Sequence, residues 1–169
     1  IVLRTIGIAS ASLALATVPA LWFGWIMARR SFRGKALLST VLLSPLVLPP
    51  VVTGWLLLQL LGAQGLLGGL RLVFTPAAAV IAGAVVGFPL FLILARQAFE
   101  SVDVRYARIA QTLGLGETAA FFRVTLPMAL PGIAAGTIPA FARALGAFRA
   151  TSMAAGLMPG PPRPPALAV

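Results

Sequence analysis

Three acidic side chains are all that this 169-residue chain offers to general acid–base chemistry: Glu100, Asp103 and Glu117. It has no His and no Cys. That removes the commonest general base, the commonest metal ligands and all disulfide or thiol chemistry. The three acids lie in or beside one polar stretch, not as a pair in an apolar pocket, and neither H-E-x-x-H nor G-x-S-x-G occurs. Two glycine patterns invite comparison with nucleotide sites. Gly114-Leu-Gly116-Glu-Thr-Ala119 has the form of a dinucleotide fingerprint, but that motif needs a buried strand before it and a crossover helix after it. Here a helical pattern precedes it and an apolar span follows. Gly34-Lys35 is followed by Ala36 and lacks the upstream glycine of a phosphate loop. No catalytic, metal or cofactor site is expected, and any work the chain performs is energised by a partner.

The informative stretch is residues 104–127, VRYARIAQTLGLGETAAFFRVTLP, the longest charged interruption in an apolar chain. Tyr106, Ile109, Ala110 and Leu113 fall at helical spacing, with Arg105, Arg108, Gln111 and Thr112 on the other side. Gly114 stands where a helix would end in a left-handed residue. A second short amphipathic segment begins at Glu117, and Leu126-Pro127 closes the stretch. The pattern predicts two short helices joined by a glycine turn between two membrane spans. Such an element is built to fit a partner's groove.

The elements that hold this stretch are membrane spans. Hydrophobic residues make up 60% of the chain and charged residues 9%, where a soluble domain carries roughly 25% charged; the mean hydropathy is +1.02. The net charge of +10 sits at the ends of apolar runs, so it orients the chain in a membrane instead of forming a basic face for nucleic acid. Uncharged runs of ~20 residues suffice to cross. They predict an all-α, polytopic transmembrane bundle in a single domain over 1–169, with spans at 5–28, 36–61, 76–95 and 130–148. The intervening segment 96–129 forms a cytoplasmic loop. A signal peptide is the alternative for the first run, and the run's length and RRSFRGK directly after it speak against one. Arg29, Arg30, Arg33 and Lys35 in the first loop, with Arg96, Arg105, Arg108 and Arg123 in the second, outweigh Arg4, Arg71 and Arg163 on the other side. The positive-inside rule then puts the N-terminus outside.

Polar or broken positions within the spans mark a candidate pathway. Pro45, Pro49 and Pro50 interrupt the second span, and in lipid their freed carbonyls must find other partners. Ser44, Thr53 and Gly54 beside that break line a polar pathway or accompany a plain packing kink. Arg143 falls inside the last span, where it attracts an anion or snorkels to the headgroups. The patterns Gly83–Gly87 and Gly132–Gly136 permit close helix approach, more simply within the subunit than in a dimer seam. The segment 62–75 reads as a glycine-rich outer connector and 158–169 as a proline-rich outer loop.

The loop resembles that of inner-membrane permease subunits of ABC importers. Their pattern runs Glu-Ala-Ala, three residues, Gly, nine residues, Ile-x-Leu-Pro. Here the register is Arg108-Ile109-Ala110, three residues, Gly114, nine residues, then Val124-Thr125-Leu126-Pro127. RSFRGKALL at 30–38, SPLVLPPVVTGWLLL at 44–58, FFRVTLPMALPGIAAG at 121–136 and FARALGAFRAT at 141–151 are similar to the molybdate/tungstate branch. The resemblance covers nearly the whole chain. It implies a bacterial or archaeal cytoplasmic-membrane subunit embedded in lipid, paired with a second permease subunit as a homodimer. Its loop, through Arg108, Ile109, Ala110, Gly114, Val124, Leu126 and Pro127, docks into an ATPase subunit. An oxyanion-binding protein delivers molybdate or tungstate to the outer face. ATP hydrolysis belongs to the partner. The chain departs from the pattern at Arg108 and Ile109, at Ala147 in place of Glu, and at Arg149 in place of Gly. The family pattern also continues into a further span, so four of its spans are expected here. A sulfate or other anion permease, or a degenerate, non-transporting membrane subunit, are the alternatives.

Overall fold

Apolar runs set the helices of this chain, and prolines and glycines set where they bend or stop. The computed structural model describes residues 2–61, 65, 69 and 75–154. Most of the glycine-rich connector with Arg71, and the proline-rich tail with Arg163, lie outside the described residues. Among the described residues there are seven α-helices, one π-helical turn and no strand. They are α1 (Val2–Arg29), α2 (Lys35–Val47), α3 (Pro50–Leu61), α4 (Pro76–Glu100), α5 (Val104–Thr112), α6 (Glu117–Ala120), the π-turn Phe121–Thr125 and α7 (Leu126–Ala154).

Three helices form the frame. α1 has 28 residues and α4 has 25, so each is ~37–42 Å long and exceeds a ~30 Å hydrocarbon core. The last span is continuous from Glu117 to Gly146. α1 buries one stripe of small side chains, Ala9, Ser12, Ala16 and Ala20, ending at Met27. The stripe faces α4. A Cβ on Gly83 would meet Ser12 Oγ at 2.5 Å, and one on Gly24 would meet Ala95 Cβ at 3.2 Å. Both contacts run in the same chain direction, so α1 and α4 are parallel. α7 packs on the other side of α4 with the opposite sense. A Cβ on Gly132 would meet Ala98 Cβ at 2.9 Å, and one on Gly136 would meet Leu94 Cβ at 2.8 Å. Ala129, Ile133, Ala140 and Ala144 complete that buried stripe. Both small-residue patterns are therefore used inside the subunit. Phe91, Phe99, Leu92 and Met27 are the large side chains enclosed around these seams.

Parallel neighbours fix the topology. For α1 and α4 to run the same way, the chain between them must cross once. The described part of that stretch is a bent pair of helices. α2 and α3 are 13 and 12 residues long, ~18–20 Å each, and Lys35–Val47 is bent against Val52–Leu61 by 111°. The sequence predicts a kinked span over 36–61; the observed turn is sharper than a single proline produces. Leu48 is extended (φ −68°, ψ 138°) because Pro49 disfavours the helical region for the residue before it. Pro50 then opens α3 where its missing N–H is no loss. Pro49 O accepts from the N–H groups of Val52 (2.9 Å) and Thr53 (3.1 Å). Pro45 leaves Val41 O without its helical donor, and the Ser44 hydroxyl supplies one at 2.8 Å.

Two other boundaries fall differently from the sequence expectation. α4 runs past Arg96 to Glu100, since those two side chains pair across one helical turn at 2.7 Å while Ala98 and Phe99 stay buried. The helix that carries the last span starts at Glu117, because Leu126-Pro127 does not end a helix. The π-turn immediately before it widens the backbone, with the Leu126 N–H reaching Phe121 O. That moves aside the carbonyl that the Pro127 ring would strike.

The glycine seam is testable. Gly132→Leu forces α7 away from Ala98 and lowers stability by about 1–3 kcal/mol, while Gly7→Leu, where an added Cβ meets nothing within 4 Å, leaves it unchanged. Thermal unfolding of the detergent-solubilised subunit measures both.

Candidate docking elbow and polar pathway

At the basic end of the frame, α4 hands over to an exposed elbow. Asp103 caps α5, its Oδ1 accepting from the Arg105 N–H at 2.8 Å. The helix closes at Gly114. The Gly114 N–H bonds Gln111 O (3.0 Å) and the Leu115 N–H bonds Ala110 O (3.1 Å), the paired bonds of a Schellman ending. Gly114 has φ +91°, the left-handed region a β-branched residue resists. Gly116 then precedes α6, which runs without a break into the π-turn and α7.

The elbow turns its apolar face outward. Of the four apolar residues at helical spacing, only Ala110 is buried; Tyr106 is 50% exposed, Ile109 56% and Leu113 80%. Together they form a patch on one side of α5. Arg108 is also exposed, and among the described residues it makes no ion pair. The residues of the glycine-spaced pattern thus divide. Arg108 and Ile109 face out, Gly114 makes the turn, and Ala110, Val124 and Leu126 face in or lie half-buried, with Leu126 against the core. Pro127 is exposed.

A second set of residues, which sequence reasoning missed, anchors the elbow to the frame. Arg29 donates to Val102 O at 2.6 Å. Phe121 stacks edgewise on Trp25, centroids 5.1 Å apart, and lies 5.9 Å from Phe99. Arg30 sits 5.8 Å above the Trp25 ring and pairs with Glu117 at 3.2 Å. Both side chains of that pair are more than half exposed, so it contributes at most ~1 kcal/mol; the aromatic contacts hold the elbow more firmly. Glu117 is the one acid between Arg108 and Arg123. A lone acid facing a dense basic loop is the sequence signal for this pair, and an Asp two residues before Arg105 is the signal for the cap.

The candidate pathway residues are less united. Ser44 is exposed and its hydroxyl proton goes to Val41 O. Thr53 is buried, with Oγ1 3.4 Å from Pro49 O. Pro49 is exposed, and Gly54 is half-buried with open space where a Cβ would stand. Pro50 marks the start of α3. α3 packs against both α4 and α7. On α7, Arg143 is half-buried and donates through Nε to Val86 O at 3.3 Å, next to the carbonyl of Val85 that Pro89 deprives of its helical donor.

Long apolar helices, a proline-broken helix pair and an exposed amphipathic elbow are the arrangement of a polytopic membrane subunit. Residues 20–161 match the family described as binding-protein-dependent transport system inner membrane component, and the chain belongs to that family. It is 43% identical to the molybdenum transport system permease protein ModB of Escherichia coli (strain K12), over 96% of this chain and 74% of that protein. Identity to the protein of the same name in Haemophilus influenzae is 41%, over 87% of this chain and 67% of that one. For Mycobacterium tuberculosis it is 37%, over 94% and 62%. The chain is a multi-pass inner-membrane transport subunit and not an enzyme. Its family works with a substrate-binding protein and an ATPase.

The turn is the point to test first. Gly114→Val strains the left-handed residue by about 1–2 kcal/mol and speeds amide exchange at Leu115. Gly114→Asn, which tolerates that conformation, falls between it and the parent chain.

Proposed function

We propose that this chain is the permease subunit of an ATP-driven importer for molybdate or tungstate. It works as a homodimer in a lipid bilayer, with its N-terminus outside and its basic end in the cytoplasm. The observation that carries the reading is the outward-facing patch of Tyr106, Ile109 and Leu113 on a helix closed by Gly114. An apolar helix face presented to water at the end of a span calls for a grooved partner. In this system that partner is the ATPase. Arg108, Ile109, Ala110 and Gly114 form the inserted turn, while Val124, Leu126 and Pro127 join it to α7. The choice of ion is supported by the relatives, which are named as molybdenum transport permeases.

Closure of the ATPase pair moves the elbow. Because α6, the π-turn and α7 are one helix, that displacement passes into the last span, and through Trp25 and Arg30 into α1. The partner supplies the differential binding free energy that biases a two-state membrane unit.

A dianion in the pathway needs donors. The Ser44 and Thr53 hydroxyls point their protons at backbone carbonyls, so both offer lone pairs and neither offers a donor. Arg143 keeps its two terminal nitrogens beyond the Val86 bond. It is the anion-attracting group of the pathway, to which Pro49, Pro50 and Gly54 also belong. Arg143→Gln is expected to lower import by about tenfold, equivalent to ~1.4 kcal/mol, with ATPase binding unaltered. Equal loss of both would assign Arg143 to the fold alone.

Reconstitution tests the whole reading. The full subunit with its ATPase in liposomes, given binding protein loaded with molybdate or tungstate, is expected to stimulate ATP hydrolysis. Leu113→Asp removes the stimulation by placing a carboxylate in an apolar groove. Stimulation by sulfate instead would assign the sulfate branch, and silence with all three ions would mark a non-transporting subunit.

A further inference from the structure

Between α2 and the basic end of α4 lies a half-open cleft of about 240 Å³ that the transport reading does not use. Its lining is layered by depth. Leu43 of α2, with Leu92 and Ile93 of α4, forms one layer. One helical turn nearer the basic end, Ser39 of α2 and Arg96 and Gln97 of α4 form the next, and Glu100 of α4 and Met27 of α1 complete the lining. α2 runs away from the basic end and α4 runs toward it, so both helices place their apolar residues deeper and their polar residues shallower. Arg96 is the first charge after the apolar run of α4, which sets its layer at headgroup depth. Its one ion-pair partner, Glu100, also lines the cleft, with its side chain 42% exposed. Arg33 and Lys35 sit at the start of α2, one turn before Ser39, and among the described residues neither makes an ion pair. Arg96 and Glu100 of the lining cancel, so the positive excess at this end comes from Arg33 and Lys35 beside the cleft.

We propose that this cleft is a binding site for one anionic glycerophospholipid, with the phosphate at Arg96, Gln97 and Ser39 and an acyl chain along Leu43, Leu92 and Ile93. Basic pockets between membrane helices take anionic headgroups in this way. A soluble phosphate has no use for the apolar layer, and a peptide would have to enter from the lipid side. The lipid fills the gap that the bent α2–α3 crossing leaves beside α4, and so supports the one crossing that has no continuous helix. The proposal rests on the transport reading only for the leaflet concerned; the site itself requires neither ATPase nor oxyanion.

The test uses the full subunit reconstituted in vesicles of equimolar phosphatidylcholine and phosphatidylglycerol. The subunit is then extracted in mild detergent, and the lipid retained per subunit is counted by native mass spectrometry. One phosphatidylglycerol per subunit is expected, in preference to phosphatidylcholine. Arg96→Gln lowers that retention about fivefold, the effect of one basic residue at the membrane surface. Ser39→Phe removes it by filling the cleft with every charge in place, and Arg123→Gln, on the elbow, leaves it unchanged. Equal retention of the two lipids, no retained lipid, or retention indifferent to Ser39→Phe would each overturn the proposal. Displacement by soluble glycerol phosphate would also overturn it, in favour of a site for a free phosphoester. Since the readout is bound lipid, its failure leaves the transport assay untouched, and the converse holds too.

Discussion

Close backbone approach along α4 is the constraint on which the rest of this structure depends. In lipid, apolar side chains gain little by leaving a neighbour they resemble, so helices associate through packing and interhelical hydrogen bonds. α4 is held from one side by α1, through Gly, Ala and Ser, and from the other by α7, chiefly through Gly and Ala. An added Cβ at Gly83, Gly132 or Gly136 would fall within 3 Å of the facing helix. The parallel pairing with α1 forces a single crossing between them, and the antiparallel pairing with α7 returns the chain. Arg29, bonded to Val102 O, ties the two helix ends that carry the elbow. The elbow's position is a consequence of the seam.

The second constraint is backbone satisfaction. Proline removes a donor, and hydrocarbon offers no water in exchange. The chain meets this in three local ways. Ser44 lends its hydroxyl to Val41 O beneath Pro45. Pro50 is placed at a helix start. Pro127 follows a π-turn that shifts the obstructing carbonyl. The first and third change how function is assigned. A serine beside a proline in a span suggests a pathway ligand until its proton is traced to a carbonyl. A Leu-Pro pair suggests a helix stop until the π-turn is seen to carry the helix through it.

Sequence and structure agree where one physical rule dominates. Long uncharged runs in lipid have one outcome, so the helical class and the continuous spans are legible. Gly114 is legible because few residues accept a positive φ. Small-residue spacing announces close approach but not the partner: Gly83 faces α1 and Gly87 faces α7. The proline break is visible, while its 111° angle is decided by how α2 and α3 separately pack on α4. The pairing of Arg30 with Glu117, 87 residues apart, follows from the parallel seam and has only a faint local signature. The outward turn of Tyr106, Ile109 and Leu113 could not be told from spacing, which puts them on one face without saying what that face meets.

That outward turn and the continuity of α6 with α7 belong together. An elbow joined to the membrane part by a flexible loop would dissipate a push from its partner in the loop's own freedom. Here the link is helix throughout, with one wide turn at Phe121–Thr125. A π-turn is a local excess of one residue and a recurrent feature of functional sites. Phe121, at the start of that turn, also packs on Trp25 and Phe99. Any re-aiming of the elbow therefore presses on α1 and α4 together, the two helices whose seam defines the frame. A weak, exposed Arg30–Glu117 pair suits such a joint better than a buried one. Exposed on both sides, it adds at most ~1 kcal/mol to holding the arm's direction.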